Sequence, residues 1–133
     1  MLDMRTIVVA LLCSVAMMAC SPLRSARVYY SSLDVEEFAR YIEHDDVVLV
    51  DVRTPEEYAA GHLEGVDYNL DVRGANFFKE YQILPKEKTI ALYCKGGGRS
   101  KQVAGVLAGN GYRVIELNKG YNGWVEAGRK TIK

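Results

Sequence analysis

Residues 89–112 run Thr89-Ile90-Ala91-Leu92-Tyr93, then Cys94-Lys95-Gly96-Gly97-Gly98-Arg99, then Ser100-Lys101-Gln102-Val103-Ala104-Gly105-Val106-Leu107-Ala108, and close on Gly109-Asn110-Gly111-Tyr112. The first part is a short apolar run and reads as a buried strand. Ser100 to Ala108 reads as a helix with Val103, Val106 and Leu107 turned inward, stopped by Asn110-Gly111. Gly105 in its middle costs about 1 kcal/mol relative to alanine, which a helix packed closely on a sheet tolerates. Between strand and helix stand three consecutive glycines, flanked by a cysteine and two cations.

The same alternation continues outward. Val47 to Val50 is a continuous β-branched run, the pattern of a strand covered on both faces. Val28-Tyr29-Tyr30 reads as a short first strand, Asp67 to Leu70 as another, and Val114 to Leu117 as a further one. Asp34 opens a helix with Glu37 as capping-box partner, and Val35, Phe38, Ala39 and Ile42 share one face of it. Thr54-Pro55-Glu56-Glu57 is a second helix start, ended by Gly61. Phe77, Phe78 and Tyr81 suggest a small helical patch, and a last helix carries Trp124. Strands alternating with helices imply an α/β, three-layer domain: a central parallel sheet of about five strands with helices on both faces. Ligands of such sheets sit at the carboxyl ends of the strands, where Cys94 stands.

The chain has 133 residues, 49% hydrophobic and 26% charged, which suits one globular domain. Lys+Arg and Asp+Glu number 17 each, so the balanced charge offers no general attraction to nucleic acid. Arg5 precedes an apolar run from Ile7 to Ala19, interrupted only by Cys13 and Ser14. At about 13 residues it falls short of the roughly 20 needed to span a bilayer and reads as a secretory signal, with Met4 an alternative start to Met1. Met17-Met18-Ala19-Cys20-Ser21 resembles a bacterial lipoprotein cleavage box, which implies a lipid on Cys20; an ordinary cleaved signal and an uncleaved anchor are the alternatives. The expected division is residues 1–20 as signal, 21–27 as tether and 28–133 as the domain. The mature protein is then an exported, membrane-anchored lipoprotein facing the periplasm or cell exterior. Cys94 is its one free thiol, without a partner for an intramolecular disulfide.

The glycine loop gives that thiol a chemistry. Three glycines allow positive φ and a tight bend that gathers N–H groups into an anion-binding concavity. The next helix adds the positive end of its dipole, and Lys95 and Arg99 add two full charges. Each favours thiolate, so Cys94 is expected to be nucleophilic without a histidine base. His44 and His62 read as surface or structural residues. The competing readings are an inert buried cysteine and a nucleotide-phosphate turn, and the second lacks both the Walker and the dinucleotide patterns.

Taken together, the motifs resemble a single-domain rhodanese over about residues 28 to 130. Cys94 through Arg99-Ser100 matches the active-site loop of that family in length and ending. Asp51-Val52-Arg53 with Glu57-Tyr58 and Gly61-His62 resembles its first signature, and Leu117, Gly120, Trp124 and Gly128 its last. Glu64 replaces a common Pro, Val66 a usual Ala, and Lys119 the first of two glycines.

The resemblance implies a sulfurtransferase. Cys94 takes the outer sulfur of a donor such as thiosulfate as a persulfide, and cyanide or a thiol removes it. Lys95, Gly96, Gly97, Gly98, Arg99 and Ser100 bind the substrate sulfur, and Asp51 and Arg53 support the site or form a structural ion pair. No metal or cofactor is expected. The partners are small sulfur-containing anions or thiols, with no nucleic acid, and the protein is expected to be a monomer. A persulfide-carrying or sensing module with little small-molecule turnover is the alternative. A cysteine phosphatase or arsenate reductase would need one more residue between Cys94 and Arg99.

Overall fold

The two apolar runs lie side by side and parallel, in register from Val47 opposite Thr89 to Asp51 opposite Tyr93. They belong to a computed structural model that describes residues 29–133. The expected signal, lipid site and tether therefore lie outside the described residues. In chain order the elements are β1 (Ser31–Leu33), α1 (Val35–Tyr41), β2 (Val47–Asp51), α2 (Pro55–Ala60), β3 (His62–Leu63), β4 (Tyr68–Asn69) and α3 (Phe77–Glu80), which runs on into a 3-10 turn, Tyr81–Ile83. Then come β5 (Thr89–Tyr93), α4 (Gly98–Gly109), β6 (Arg113–Leu117), α5 (Gly120–Glu126) and β7 (Thr131–Ile132). Five strands form one parallel sheet in the order β1-β6-β5-β2-β4.

The central strands are apolar on both sides because helices cover both faces. Val48, Val50, Val52, Ile90, Leu92, Cys94 and Val114 pack on one face with Val103, Ala104 and Leu107 of α4 and Phe77 of α3. Leu49, Ala91, Tyr93, Ile115 and Leu117 pack on the other with Phe38 and Ala39 of α1 and Trp124 of α5. Cys94 thus shares the α4 side of the sheet. Helix starts follow the local sequence. Thr54 and Glu57 form the reciprocal capping box at α2, with Pro55 in the first turn. At α1 the Asp34 carboxylate accepts from the Glu37 amide at 2.8 Å, so Glu37 contributes its backbone to the cap.

Several boundaries differ from the sequence pattern. The first strand is Ser31–Leu33, beyond Tyr29 and Tyr30, and Val28 falls outside the described residues. An edge strand paired only to β6 needs little apolar surface, and Leu33 alone of β1 is buried. The strand expected at Asp67–Leu70 narrows to Tyr68–Asn69, because the Asp67 carboxylate itself takes the Leu49 amide at 2.9 Å. Helix α4 begins at Gly98, inside the glycine run, and Val106 is half-buried where the inward face was expected to hold it. A two-stranded antiparallel ribbon, β3 with β7, has no counterpart in the sequence reading. It forms where the chain after α5 turns back, held by the Trp124 indole donating to Lys130 O at 2.9 Å.

Candidate active site

Cys94 follows β5 directly, and only 1% of its surface is exposed. The loop after it is fixed from two sides. The amides of Tyr121 and Asn122, in the first turn of α5, donate to the carbonyls of Cys94 and Lys95 at 2.8 and 3.0 Å. That approach requires Gly120: its φ is +58°, and a Cβ there would lie 2.5 Å from Cys94 O. The second constraint is Gly97, which caps α4 with φ +103°, where a Cβ would fall 2.0 Å from Asn118 O. Gly96 and Gly98 have neither positive φ nor a crowded Cβ direction, so one glycine of the three makes the turn.

This turn aims N–H groups at sulfur. The Gly97 amide donates to Cys94 Sγ at 3.1 Å, and Ser100 Oγ lies 3.4 Å from it. Burial pushes the Cys94 thiol up, but the Ser100 hydroxyl and the amides of Ser100, Gly97 and Gly96 outweigh it and bring the thiol below its ordinary range. The N-terminus of the 12-residue helix α4 adds its dipole in the same sense. A thiolate held this way is a nucleophile, and the same donors suit an anionic sulfur atom bonded to it.

The two cations of the loop are not equivalent, and here the expectation of two free positive charges is corrected. Arg99 makes a two-pronged pair with Glu57, Nη1 to Oε2 at 2.7 Å and Nη2 to Oε1 at 2.8 Å. The pair holds the Glu57 carboxyl down to about 2 from an ordinary 4.5, chiefly through the Arg99 hydrogen bonds and against the opposing effect of burial. Arg99 is therefore neutralised and ties the loop to α2. Lys95 is exposed and forms no ion pair or side-chain hydrogen bond among the described residues, so it retains its full charge.

Asp51 and Arg53 lie deeper. The Arg53 Nη2 donates to Asp51 Oδ2 at 2.7 Å and to Gly61 O at 2.7 Å, and the Tyr93 hydroxyl donates to the same Asp51 oxygen at 2.5 Å. The guanidinium also lies over the Tyr121 ring, 4.3 Å from its centre. This cluster joins β2, β5, the end of α2 and the helix that grips the loop. Its members Arg53, Gly61 and Tyr121 line a cleft of about 180 Å³ together with Glu57, Ala60, Lys95 and Asn122. His62 is buried, stacked on Tyr58 at 3.8 Å, with Nδ1 3.0 Å from Tyr58 O, a structural position.

Two residues escaped the sequence reading. Glu57 was read as a helix cap and as part of the first signature, with no bridging role, and its partner Arg99 lies 42 residues away in the chain. Glu116 was read only as part of a strand. It is wholly buried and accepts from Ser100 Oγ at 2.8 Å. A charged residue between Ile115 and Leu117 in a buried strand was the available signal.

Comparison with known proteins agrees with this geometry. The rhodanese-like domain family matches residues 34–127. A sulfurtransferase of Allochromatium vinosum is 31% identical, with 77% of this chain and 94% of that protein covered. A thiosulfate sulfurtransferase GlpE of Pseudoalteromonas translucida is 25% identical over 78% of this chain and 97% of its own length. A tRNA uridine(34) hydroxylase of Acinetobacter baumannii is 34% identical over 66% of this chain, which spans only 29% of that protein. Among solved structures, a rhodanese-related protein of Thermoplasma volcanium superposes with a TM-score of 0.70 at 23% identity, over 77% of this chain and 98% of the other. With the match running unbroken from the cap of α1 to the end of α5, the chain belongs to the rhodanese-like domain family.

Proposed function

We propose that the protein is a sulfurtransferase that moves a sulfane sulfur from a donor such as thiosulfate to cyanide or a thiol through a persulfide on Cys94. The observation that carries the reading is the cradle at the end of β5, with the Gly97 amide on Cys94 Sγ at 3.1 Å and the start of α4 behind it. The Cys94 thiolate attacks the outer sulfur of thiosulfate. A new S–S bond forms, the old one breaks, and sulfite leaves with the bonding electron pair. Cyanide then attacks the outer sulfur of the persulfide, thiocyanate departs, and the thiolate is restored without any external oxidant or reductant. Lys95 attracts the donor anion electrostatically, while Arg99, held by Glu57, keeps the loop closed around sulfur. Asp51 holds the guanidinium of Arg53, which lines the adjoining cleft.

The shape of the site favours sulfur over a phosphate ester. The loop has four residues between Cys94 and Arg99, and the guanidinium that would grip an ester oxygen is engaged by Glu57. Export and a lipid on Cys20 complete the proposal, and both rest on the signal at residues 1–20 and the cleavage box Met17-Met18-Ala19-Cys20-Ser21. Fatty-acid labelling in the native host checks the lipid: label on wild type and none on Cys20→Ser is the expected pair of results.

The test of the mechanism is mass spectrometry of the thiosulfate-treated protein. Wild type should gain one sulfur on Cys94, removable by cyanide, and Cys94→Ala should gain none and produce no thiocyanate. Thiocyanate production by a clean Cys94→Ala preparation would overturn it. Stoichiometric loading with no turnover would instead identify the sulfur-carrying module.

A further inference from the structure

Among the described residues two carboxylates are wholly buried, Asp51 and Glu116. Asp51 faces the Arg53 guanidinium, but Glu116 has no such fork. Its Oε1 meets the Ser32 hydroxyl of β1 and, at 3.1 Å, the ammonium of Lys101, a side chain that is 37% exposed. Its Oε2 accepts from Ser100 Oγ at 2.8 Å. Glu116 lies on the α4 side of β6, the side that Cys94 shares.

The Ser100 hydroxyl has one hydrogen to give. Within its reach are Glu116 Oε2 at 2.8 Å, Gly97 O at 3.2 Å and Cys94 Sγ at 3.4 Å. When Cys94 is a thiol, its S–H donates to the Ser100 oxygen while Ser100 donates to Glu116. When Cys94 is a thiolate, carboxylate and sulfur compete for the same hydrogen. The carboxylate is the nearer and harder acceptor, and such charge-assisted hydrogen bonds are the stronger ones.

We propose that Glu116 is a positioning residue that acts on Cys94 through Ser100, drawing the hydroxyl hydrogen away from sulfur and so opposing ionisation of the thiol. The function of this opposition follows from thiol chemistry: nucleophilicity falls as a thiol becomes more acidic, and attack is best when its pKa lies near ambient pH. The loop amides and α4 pull Cys94 toward ready ionisation, and Glu116 restrains them. The charged groups around the pair are Lys101 beside Glu116, and Arg99 with its partner Glu57, the Asp51–Arg53 pair and exposed Lys95 around Cys94. The proposal deepens the sulfur-transfer reading and rests on it for its purpose, but its test does not.

That test is the rate of iodoacetamide alkylation of Cys94 against pH, read on the Cys94 peptide of the full chain by mass spectrometry. Glu116→Gln removes a charge and frees the Ser100 hydrogen, so the midpoint should fall by about one unit. Ser32→Ala should raise it, because the carboxylate then leans harder on Ser100. The double variant Ser100→Ala/Glu116→Gln should show a smaller fall from its Ser100→Ala parent than Glu116→Gln shows from wild type. A Glu116→Gln midpoint that is unchanged or raised in a folded protein overturns the proposal. Should Glu116→Gln fail to fold, an unchanged or lowered midpoint in Ser32→Ala overturns it as well. A chain that shows the expected shifts but never loads sulfur defeats the sulfur-transfer reading alone.

Discussion

The Asp51–Arg53 and Glu57–Arg99 pairs are each a carboxylate against a guanidinium with a closest approach of 2.7 Å, yet water reaches them very differently. The side chains of the first are 0% and 3% exposed, and those of the second 26% and 15%. A sealed pair has no solvent to fall back on, so losing one partner leaves an uncompensated buried charge. A pair near the surface can exchange its partner for water, so losing one member mainly frees the other to move. The first pair therefore belongs to the architecture beneath the cleft, and the second to the control of the loop. Proximity to Cys94 in the chain does not reveal this division. Burial does.

The largest expected effect breaks the sealed pair. Asp51→Asn removes the charge opposite Arg53 while keeping the size of the side chain, and should destabilise the fold by about 3–5 kcal/mol. Urea titration checks it through a lower midpoint at unchanged slope. A loss no greater than that of the surface pair would erase the distinction between a sealed pair and one near the surface.

Glu57→Gln should be milder, about 1 kcal/mol at neutral pH, since the pair is only partly buried and the amide keeps part of the cap at Thr54. Its pH dependence is more telling. The folded carboxyl titrates at about 2 and the unfolded one near 4.5, so the pair contributes fully above the unfolded value and loses that contribution as pH falls toward the folded one. Wild type should therefore lose more stability than Glu57→Gln over that acid range, and the two should converge near its lower end. Parallel curves would mean that the Arg99 clamp contributes nothing to folding.

The parts of the fold that were legible are those where burial writes a pattern into consecutive residues. Val47–Asp51 and Thr89–Tyr93 are covered on both faces and show it as apolar runs. Strands β1, β3 and β7 are two or three residues long and at sheet edges or in a small ribbon, too short for periodicity to appear. Helix α4 was legible from Val103 and Leu107, but its start at Gly98 was not, because Gly97 rather than a side-chain cap sets it. At the site, Cys94 and its glycine turn were legible because the chemistry is local in sequence. The pairing of Arg99 was not: Glu57 was read in the Thr54 box and in the first signature, and neither reading names a partner 42 residues away. Ser100 was placed on the loop, but its bond to Glu116 depends on how β6 lies against α4, a tertiary fact.

The smallest effect concerns the cation left over once Arg99 is paired. Lys95 is exposed, and its side chain has no bonded partner among the described residues, so it acts on an approaching anion only through its field. Such a field is screened by salt, with a Debye length of about 10 Å at 0.1 M and about 3 Å at 1 M. Lys95→Ala should leave stability within about 0.5 kcal/mol of wild type, as surface changes away from structural features do. At low ionic strength it should raise KM for thiosulfate about two- to fivefold with kcat unchanged, the mark of a group that aids binding without acting in the transition state. The difference should shrink as sodium chloride is added. Arg99→Ala should behave otherwise: its loss undoes a clamp in contact with Glu57, and added salt should restore little. A Lys95→Ala defect that persists undiminished at high salt would place the ammonium in direct contact with the donor, and the two cations of the loop would then have to be read as partners in binding.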